Sequence, residues 1–226
     1  QRFDTLAEKD EKILGKIDWN ISDAQRASLS YQHTEGNEII TVNNSATTNF
    51  ISAPSNWYNR AITMDSMSLQ LFSDWNEFFS TEFKVARKEV EVRQDSLNGT
   101  DFAEMRINSP AIVDNPATPL VNEFKPAGLI IVGPDESRHA NFLTNDLDAI
   151  KLKGSFFLGD HTLMLGYERE MLDIFNIFVA RSSGQYVFAN IAAYQNRTAT
   201  SLVYQNAFTN VKADGAASFG YNTDSL

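Results

Sequence analysis

Two runs of alternating apolar and polar residues, joined by the very short turn Gly159-Asp160, stand out in the second half of the chain. A period of two is typical of a strand whose two faces differ, and a Gly-Asp turn is typical of an antiparallel hairpin. The stretch therefore predicts a hairpin with one apolar face and one polar face. The apolar face would hold Ile150, Leu152, Gly154, Phe156 and Leu158 from the first run, and Leu163, Leu165 and Tyr167 from the second.

The same strand-turn-strand pattern occurs twice more in the first half of the chain. In one copy the alternating runs flank a polar turn at residues 20–25 (NISDAQ), and in the other they flank a turn at residues 74–77 (DWNE). After Ala86 the apolar residues move to even positions, with Val90 and Val92. This change of phase predicts either a bulge or a strand that leaves the apolar layer.

The connections between these runs alternate strictly between short and long. A soluble sandwich has no reason to send every long loop to one end, whereas transmembrane β-barrels have short periplasmic turns and long extracellular loops. The alternation therefore favours a membrane barrel. The short connections are residues 20–25, 74–77 and 159–160, and the long ones are residues 34–60, 95–148 and those after 179.

Aromatic residues and strand length support the same interpretation. Trp19, Trp75, Phe78 and Phe157 lie beside short turns, where an interfacial girdle would place them. The run from residue 161 to 179 would extend about 60 Å as a strand, well beyond the roughly 9–11 residues that cross a bilayer. We therefore predict an all-β fold, an antiparallel transmembrane β-barrel of long hairpins in the outer membrane of a Gram-negative bacterium.

The whole chain, residues 1–226, is predicted to be part of a single β-barrel domain. Its six clear strands, with two weaker ones, are few for a barrel, so we expect a fragment without a plug domain. Residues 95–148 hold five of the six prolines and many acids, and are predicted to be a long extracellular loop with short strands at 102–108 and 128–132. A short helix is predicted over residues 184–196 and a last strand over residues 199–208.

The composition excludes several classes of protein. The net charge of −10 argues against nucleic-acid binding, and the absence of cysteine excludes disulfides and thiolate metal sites. The three histidines are far apart, and no nucleophile or phosphate-binding motif occurs. Glu168 and Glu170 share a strand face, which is more typical of a polar lumen than of an acid/base pair. We therefore predict no enzyme activity, no cofactor and no metal.

Ligand-binding residues have only weak signals in the sequence. Trp57 and Tyr58 lie next to each other in a predicted long loop, where they could stack on a ligand. An upper aromatic girdle or a role in loop packing is the more common use of such residues. The adjacent acids Asp135 and Glu136 lack the spacing of a calcium loop.

Three stretches carry a family resemblance. Residues 14–32 (LGKIDWNISDAQRASLSYQ) resemble a strand-turn-strand unit of TonB-dependent outer-membrane receptors, and residues 154–179 and 184–196 resemble the Oar-like subgroup. The resemblance implies a barrel of about 22 strands with an N-terminal plug, which imports a ligand with energy from the TonB system. The chain would then be the barrel portion only.

The implied partners are outer-membrane lipid, the TonB system through a plug domain outside this chain, an extracellular ligand, and an outer-membrane or surface lipoprotein. The alternative is a soluble all-β module that binds a ligand or a carbohydrate.

Overall fold

The structure, a computed structural model, describes residues 6, 8–45, 47, 49–111 and 127–205, together with the backbone at 221–222. Six strands of 15 to 19 residues dominate this part of the chain. The strands are β1 (Glu8–Ser22), β2 (Gln25–Ile40), β3 (Phe50–Ser52), β4 (Tyr58–Asn76), β5 (Phe79–Ser96), β6 (Glu104–Ser109), β7 (Gly128–Val132), β8 (Asn141–Leu158), β9 (His161–Phe178), β10 (Gln185–Phe188), β11 (Ser201–Val203) and β12 (Tyr221–Asn222). The helical segments are α1 (Ile191–Gln195) and two 3₁₀ turns, Pro54–Asn56 and Glu136–Arg138.

The six long strands and the short β12 form one antiparallel sheet, here called the main sheet, in the order β1-β2-β4-β5-β8-β9-β12. The all-β, antiparallel prediction is confirmed. In the part of the chain that the structure describes, the main sheet is open, with β1 at one edge. A strand of 19 residues extends about 60 Å, so the main sheet is much longer than a bilayer is thick.

The three predicted hairpins are confirmed, and two of their turns are tighter than the sequence indicated. The first turn consists of residues 23–24, the second of residues 77–78 and the third of Gly159 and Asp160. Gly159 has φ +61° at the first position of a two-residue turn, where a type II′ turn requires this conformation. The first two turns are tighter than predicted because a register shift beside each continues the pairing closer to the turn.

The predicted bulge after Ala86 is wrong, and the alternative of a strand that leaves the apolar layer is correct. Strand β5 pairs with β4 and β8 without a shift beyond this residue. Because side chains alternate along a regular strand, Val90 and Val92 lie on the face opposite to Val85.

The predicted long loops are partly structured, and three of their boundaries are wrong. The loop predicted over 95–148 ends earlier, because residues 142–148 already pair with β5 as part of β8. The loop predicted over 34–60 is shortened at both ends, because β2 continues to Ile40 and β4 starts at Tyr58. The short strands predicted at 102–108 and 128–132 are confirmed as β6 and β7.

Segments from all three long connections combine into a second sheet, here called the loop sheet, in the order β11-β10-β6-β7-β3. Its core contains Ile107, Ile131 and Phe188, which are almost fully buried. The helix predicted over 184–196 is wrong at its start, because Gln185–Phe188 pairs with β6 and β11 as strand β10. The last strand, predicted over 199–208, is the shorter β11, and residues 206–208 lie outside the described part.

Candidate functional site

One face of the main sheet carries an apolar band near the short turns. Residues paired across neighbouring strands share a face, so the pairing defines rows of side chains. The central row ends at Arg169 on β9, and the next row toward the turns ends at Tyr167. Most of these apolar side chains are exposed, which is how a lipid-facing surface appears without lipid. The central row is Ile17, Leu29, Leu69, Val85 and Ile150, and the next is Trp19, Ala27, Leu71, Phe83 and Leu152.

The opposite face is polar over the same height. Ser30 and Ser68 share a hydrogen bond of 2.7 Å between their hydroxyls, and Lys153 forms an ion pair of 2.9 Å with Glu82. Lys151 lies directly opposite Glu168. Mixed charges and hydroxyls are typical of a barrel interior, so we call this the inner face. The polar row next to the central apolar row is Asp18, Ser28, Gln70, Lys84, Lys151 and Glu168.

Aromatic residues mark the lower limit of the band, as predicted for a girdle. Trp19, Trp75 and Phe78 are all more than half exposed beside the short turns. Phe157 differs, because it pairs with Thr162 and so lies on the face of Lys151, while its neighbour Phe156 takes the lipid-facing position and stacks on Phe79 at 4.7 Å.

The upper limit of the band is marked by charge. Arg87 contacts Asp148 at 3.1 Å on the lipid-facing side. From Phe79 to Arg87 the strand rises about 26 Å, or about 20 Å vertically at a tilt of about 40°, close to the band of about 25 Å in known barrels.

Above this limit the two faces exchange character. The lipid-facing side becomes acidic, with Asp65, Glu89 and Asp146 paired in one row. The inner face becomes apolar about 10 Å further along the strands, in a row formed by Ile62, Val92 and Leu143. A lipid-facing surface that turns acidic has left the hydrocarbon layer, so this upper part of the main sheet projects beyond the membrane.

The loop sheet is fixed to the top of the inner face through Tyr58. This residue shares the face of Ile62 and is only 6% exposed. The guanidinium of Arg138 lies 4.4 Å from the centre of the Tyr58 ring, and its Nη2 donates to the Tyr58 hydroxyl at 3.3 Å. The indole of Trp57 donates to Ser52 Oγ at 3.0 Å. Tyr58 is thus buried against the loops and Trp57 is half-buried, and a ligand-binding role for either residue stays a prediction.

A buried carboxylate connects the three long connections. Glu104 on β6 is fully buried, and its Oε1 accepts from Arg106 and from Gln185, each at 2.7 Å. Its Oε2 accepts from Asn56 at 3.1 Å and from the backbone N–H of Glu136 at 3.0 Å. Four donors from different segments converge on this side chain, so the loop sheet is a fixed unit rather than a set of free loops.

A buried histidine lies beside this cluster. Burial lowers the pKa of His139, so its imidazole is neutral near pH 7. Its Nδ1 accepts from the backbone N–H of Ser183 at 3.1 Å, and its Nε2 donates to the carbonyl of Pro134 at 3.3 Å. The pKa of Asp135 is raised, mainly by burial and secondly by the nearby charge of Glu104. These residues hold the loops together by hydrogen bonds that depend on their protonation.

The face of the loop sheet opposite to Glu104 carries a pocket that the sequence did not indicate. A cavity of about 560 Å³ lies between β6, β10 and the segment after α1. The ring of Tyr194 meets Phe188 edge-on at 5.3 Å, and Tyr186 lies 6.5 Å from Phe188. The size falls in the range of small-ligand sites. Its lining residues are Met105, Tyr186, Phe188, Tyr194, Gln195, Arg197 and Ala199.

The described residues contain no group of three or more His, Cys, Asp or Glu that could hold a metal ion. In the same part of the chain, no helix has the length and hydropathy to cross a membrane.

Comparison with known proteins assigns the family. Residues 2–225 match the family model of an outer membrane beta barrel domain. Neither the curated proteins nor the solved structures gave a match to the chain. The match spans nearly the whole chain and agrees with the apolar band, the polar inner face and the aromatic girdle. The chain belongs to the outer membrane beta barrel domain family and lies in the cell outer membrane, in contact with its lipid.

Proposed function

We propose that the chain is the barrel portion of a TonB-dependent receptor that takes up an extracellular ligand. The observation that carries this proposal is the loop sheet, which gathers three long connections into a fixed unit over the inner face. A membrane anchor needs no such unit, whereas a receptor needs binding residues that a rigid scaffold positions. The resemblance of residues 14–32, 154–179 and 184–196 to such receptors supports the same class.

The proposed mechanism is capture followed by passage along the inner face, without covalent chemistry. The loop sheet binds the ligand. The polar rows of the inner face, such as the row of Gln70 and Lys151, then form hydrogen bonds with the ligand as it moves inward. Energy comes from the TonB system through a plug domain outside this chain, and a surface lipoprotein assists capture. No enzyme activity is part of this mechanism. The alternative of a soluble binding module is set aside, since the chain belongs to an outer-membrane family.

Uptake can be tested without knowing the ligand. Three strains of the host bacterium are grown on the same complex medium: the parent, a strain that lacks this gene, and a strain that lacks TonB. The compounds left unconsumed are then compared by mass spectrometry. We expect the gene deletion to leave at least one compound that the TonB deletion also leaves. If every compound that depends on this gene is still consumed without TonB, the proposal is refuted.

A further inference from the structure

We propose that the pocket between β6, β10 and α1 binds a small extracellular ligand that carries a carboxylate next to a flat, apolar body. The inference rests on the proposed function in one respect, the position of the loop sheet on the extracellular side of the membrane. It adds a site and a ligand class. The site is defined by Tyr186, Tyr194 and Arg197.

The flat body follows from the aromatic lining. Tyr186 and Tyr194 are each more than a third exposed, so their rings are available, while Phe188 is buried between them. Met105 pairs with Tyr186 and completes an apolar floor. Aromatic rings in this arrangement contact planar or apolar surfaces of a ligand, either an aromatic ring or the apolar face of a sugar ring.

The carboxylate follows from Arg197. Among the described residues that line the pocket, Arg197 is the one with a formal charge, in a chain whose net charge is −10. Among the described residues it forms no ion pair, whereas Arg106, Arg138 and Arg181 all pair with acids in the loop sheet. A guanidinium stays charged at every physiological pH and binds a carboxylate through two parallel hydrogen bonds.

The backbone holds Arg197 in place at some cost. After α1, the N–H of Arg197 donates to the carbonyl of Tyr194, and the N–H of Thr198 donates to the carbonyl of Ala193. This is a Schellman motif, in which the position of Arg197 is usually glycine because the residue is left-handed. Arg197 has φ +56°. An arginine in this conformation is strained, and such strain often occurs at functional positions.

Binding to the purified protein in detergent micelles tests the charge requirement. The probes are N-acetylphenylalanine, which has a carboxylate and a planar ring, and its neutral amide, titrated by calorimetry. We expect the acid to bind at least about 10-fold more tightly than the amide, and Arg197→Gln to abolish this difference. Tyr186→Leu should weaken both probes. Arg93→Gln, the same change on the main sheet, is the matched control and should leave both affinities unchanged.

A second pair of probes separates the two sources of a flat body. A glucuronate-containing disaccharide and its neutral glucose counterpart are titrated in the same way. If N-acetylphenylalanine binds more tightly than the glucuronate disaccharide, the ligand is aromatic, and if the disaccharide binds more tightly, the ligand is a sugar. If no acid binds, if acids and neutral partners bind equally, or if Arg197→Gln leaves the acid affinity unchanged in a protein with native circular dichroism, the inference is refuted. These titrations contain neither TonB nor an energy source, so a failure of energised uptake would not change them.

Discussion

Two adjacent residues on β4 test which face of the main sheet contacts lipid. Leu69 lies in the central apolar row, and Gln70 lies in the polar row of the inner face. Replacing each with lysine introduces the same charge at the same height, on opposite sides of the sheet. The difference between the two variants therefore measures the sidedness of the main sheet, with strand position and side chain held constant.

The expected magnitude follows from the depth of Leu69. Its row lies two residues below Arg87 along β5, about 5 Å vertically, and six residues above Phe79, so Leu69 lies in the upper half of the band and Leu69→Lys should cost about 1–2 kcal/mol. A lysine on the lipid face costs about 2–4 kcal/mol at the midplane and much less near the interfaces. On the inner face Gln70 donates to Glu82 at 2.8 Å. Lysine can replace this contact with an ion pair, so Gln70→Lys should change the free energy of unfolding by less than about 0.5 kcal/mol.

The assay is equilibrium unfolding of the intact protein in phosphatidylcholine vesicles, followed by tryptophan emission during a guanidinium titration. Leu69→Ala separates the loss of the leucine side chain from the gain of a charge. If Gln70→Lys costs as much as Leu69→Lys, the assignment of the two faces is refuted. If both variants are neutral, the band lies outside the hydrocarbon layer and the height derived from β5 is wrong.

Three further predictions concern the loop sheet and one hairpin. Glu104→Ala leaves buried donors without an acceptor, so it should lower the free energy of unfolding of the loop sheet by about 3–5 kcal/mol. This is measured by the emission of Trp57 after the other tryptophans are replaced by phenylalanine. Because the pKa of His139 is lowered in the folded state, its contribution to stability is present above about pH 6.5 and is lost as the pH falls, so the loop sheet should weaken in acid, measured by the same Trp57 emission. His139→Gln should flatten this slope. The raised pKa of Asp135 acts in the opposite direction, so the difference between the parent protein and His139→Gln, rather than the slope alone, measures the contribution of His139. Gly159→Val should lower the free energy of unfolding by about 1–2 kcal/mol, because φ is +61° at this residue. Gly15→Val, at an open position, is the control and should be neutral. Equal losses of stability would refute the turn assignment.

The membrane-spanning half of the fold could be predicted from the sequence because it obeys local rules. Each lower hairpin alternates with a period of two, and Asn, Asp or Gly residues lie in or next to its turn, so the face of each side chain follows from its position. Ile150 and Leu152 share the lipid-facing side as expected, and Lys151 and Glu168 share the other side. Nothing beyond the hairpin itself is needed for these assignments.

The upper half could not be predicted, because above the membrane the apolar residues lie on the inner face and the charged residues lie on the outer face. On β8 the apolar positions change from Ile150 and Leu152 to Leu147 and Leu143, which are of opposite parity. A reader of the sequence who expects one apolar face sees this change as the end of the strand. The strand in fact continues with its apolar residues turned inward, and the predicted loop therefore extended too far, to residue 148.

The pocket was missed for a related reason. The apolar spacing of residues 184–196 predicts a helix, in which Tyr186 and Phe188 would not share a face. As strand β10 they do share a face, and β10 forms only because β6 and β11 lie beside it. Those partners are more than 75 residues and about 15 residues away in sequence. A spacing of two between aromatics was the one local signal available.

The exchange of faces also bears on the route of a ligand through the proposed receptor. From Arg87 to Ser96 the β5 strand rises about 30 Å, or about 20 Å vertically, so the loop sheet stands well above the membrane surface. A ligand that leaves the loop sheet along the main sheet meets the apolar row of Ile62, Val92 and Leu143 before the charged row of Lys84 and Lys151. A purely polar ligand would gain nothing from the first row, and a purely apolar one would be disfavoured at the second. A molecule with an apolar body and a carboxylate interacts favourably with both, which is the class that the pocket around Arg197 selects.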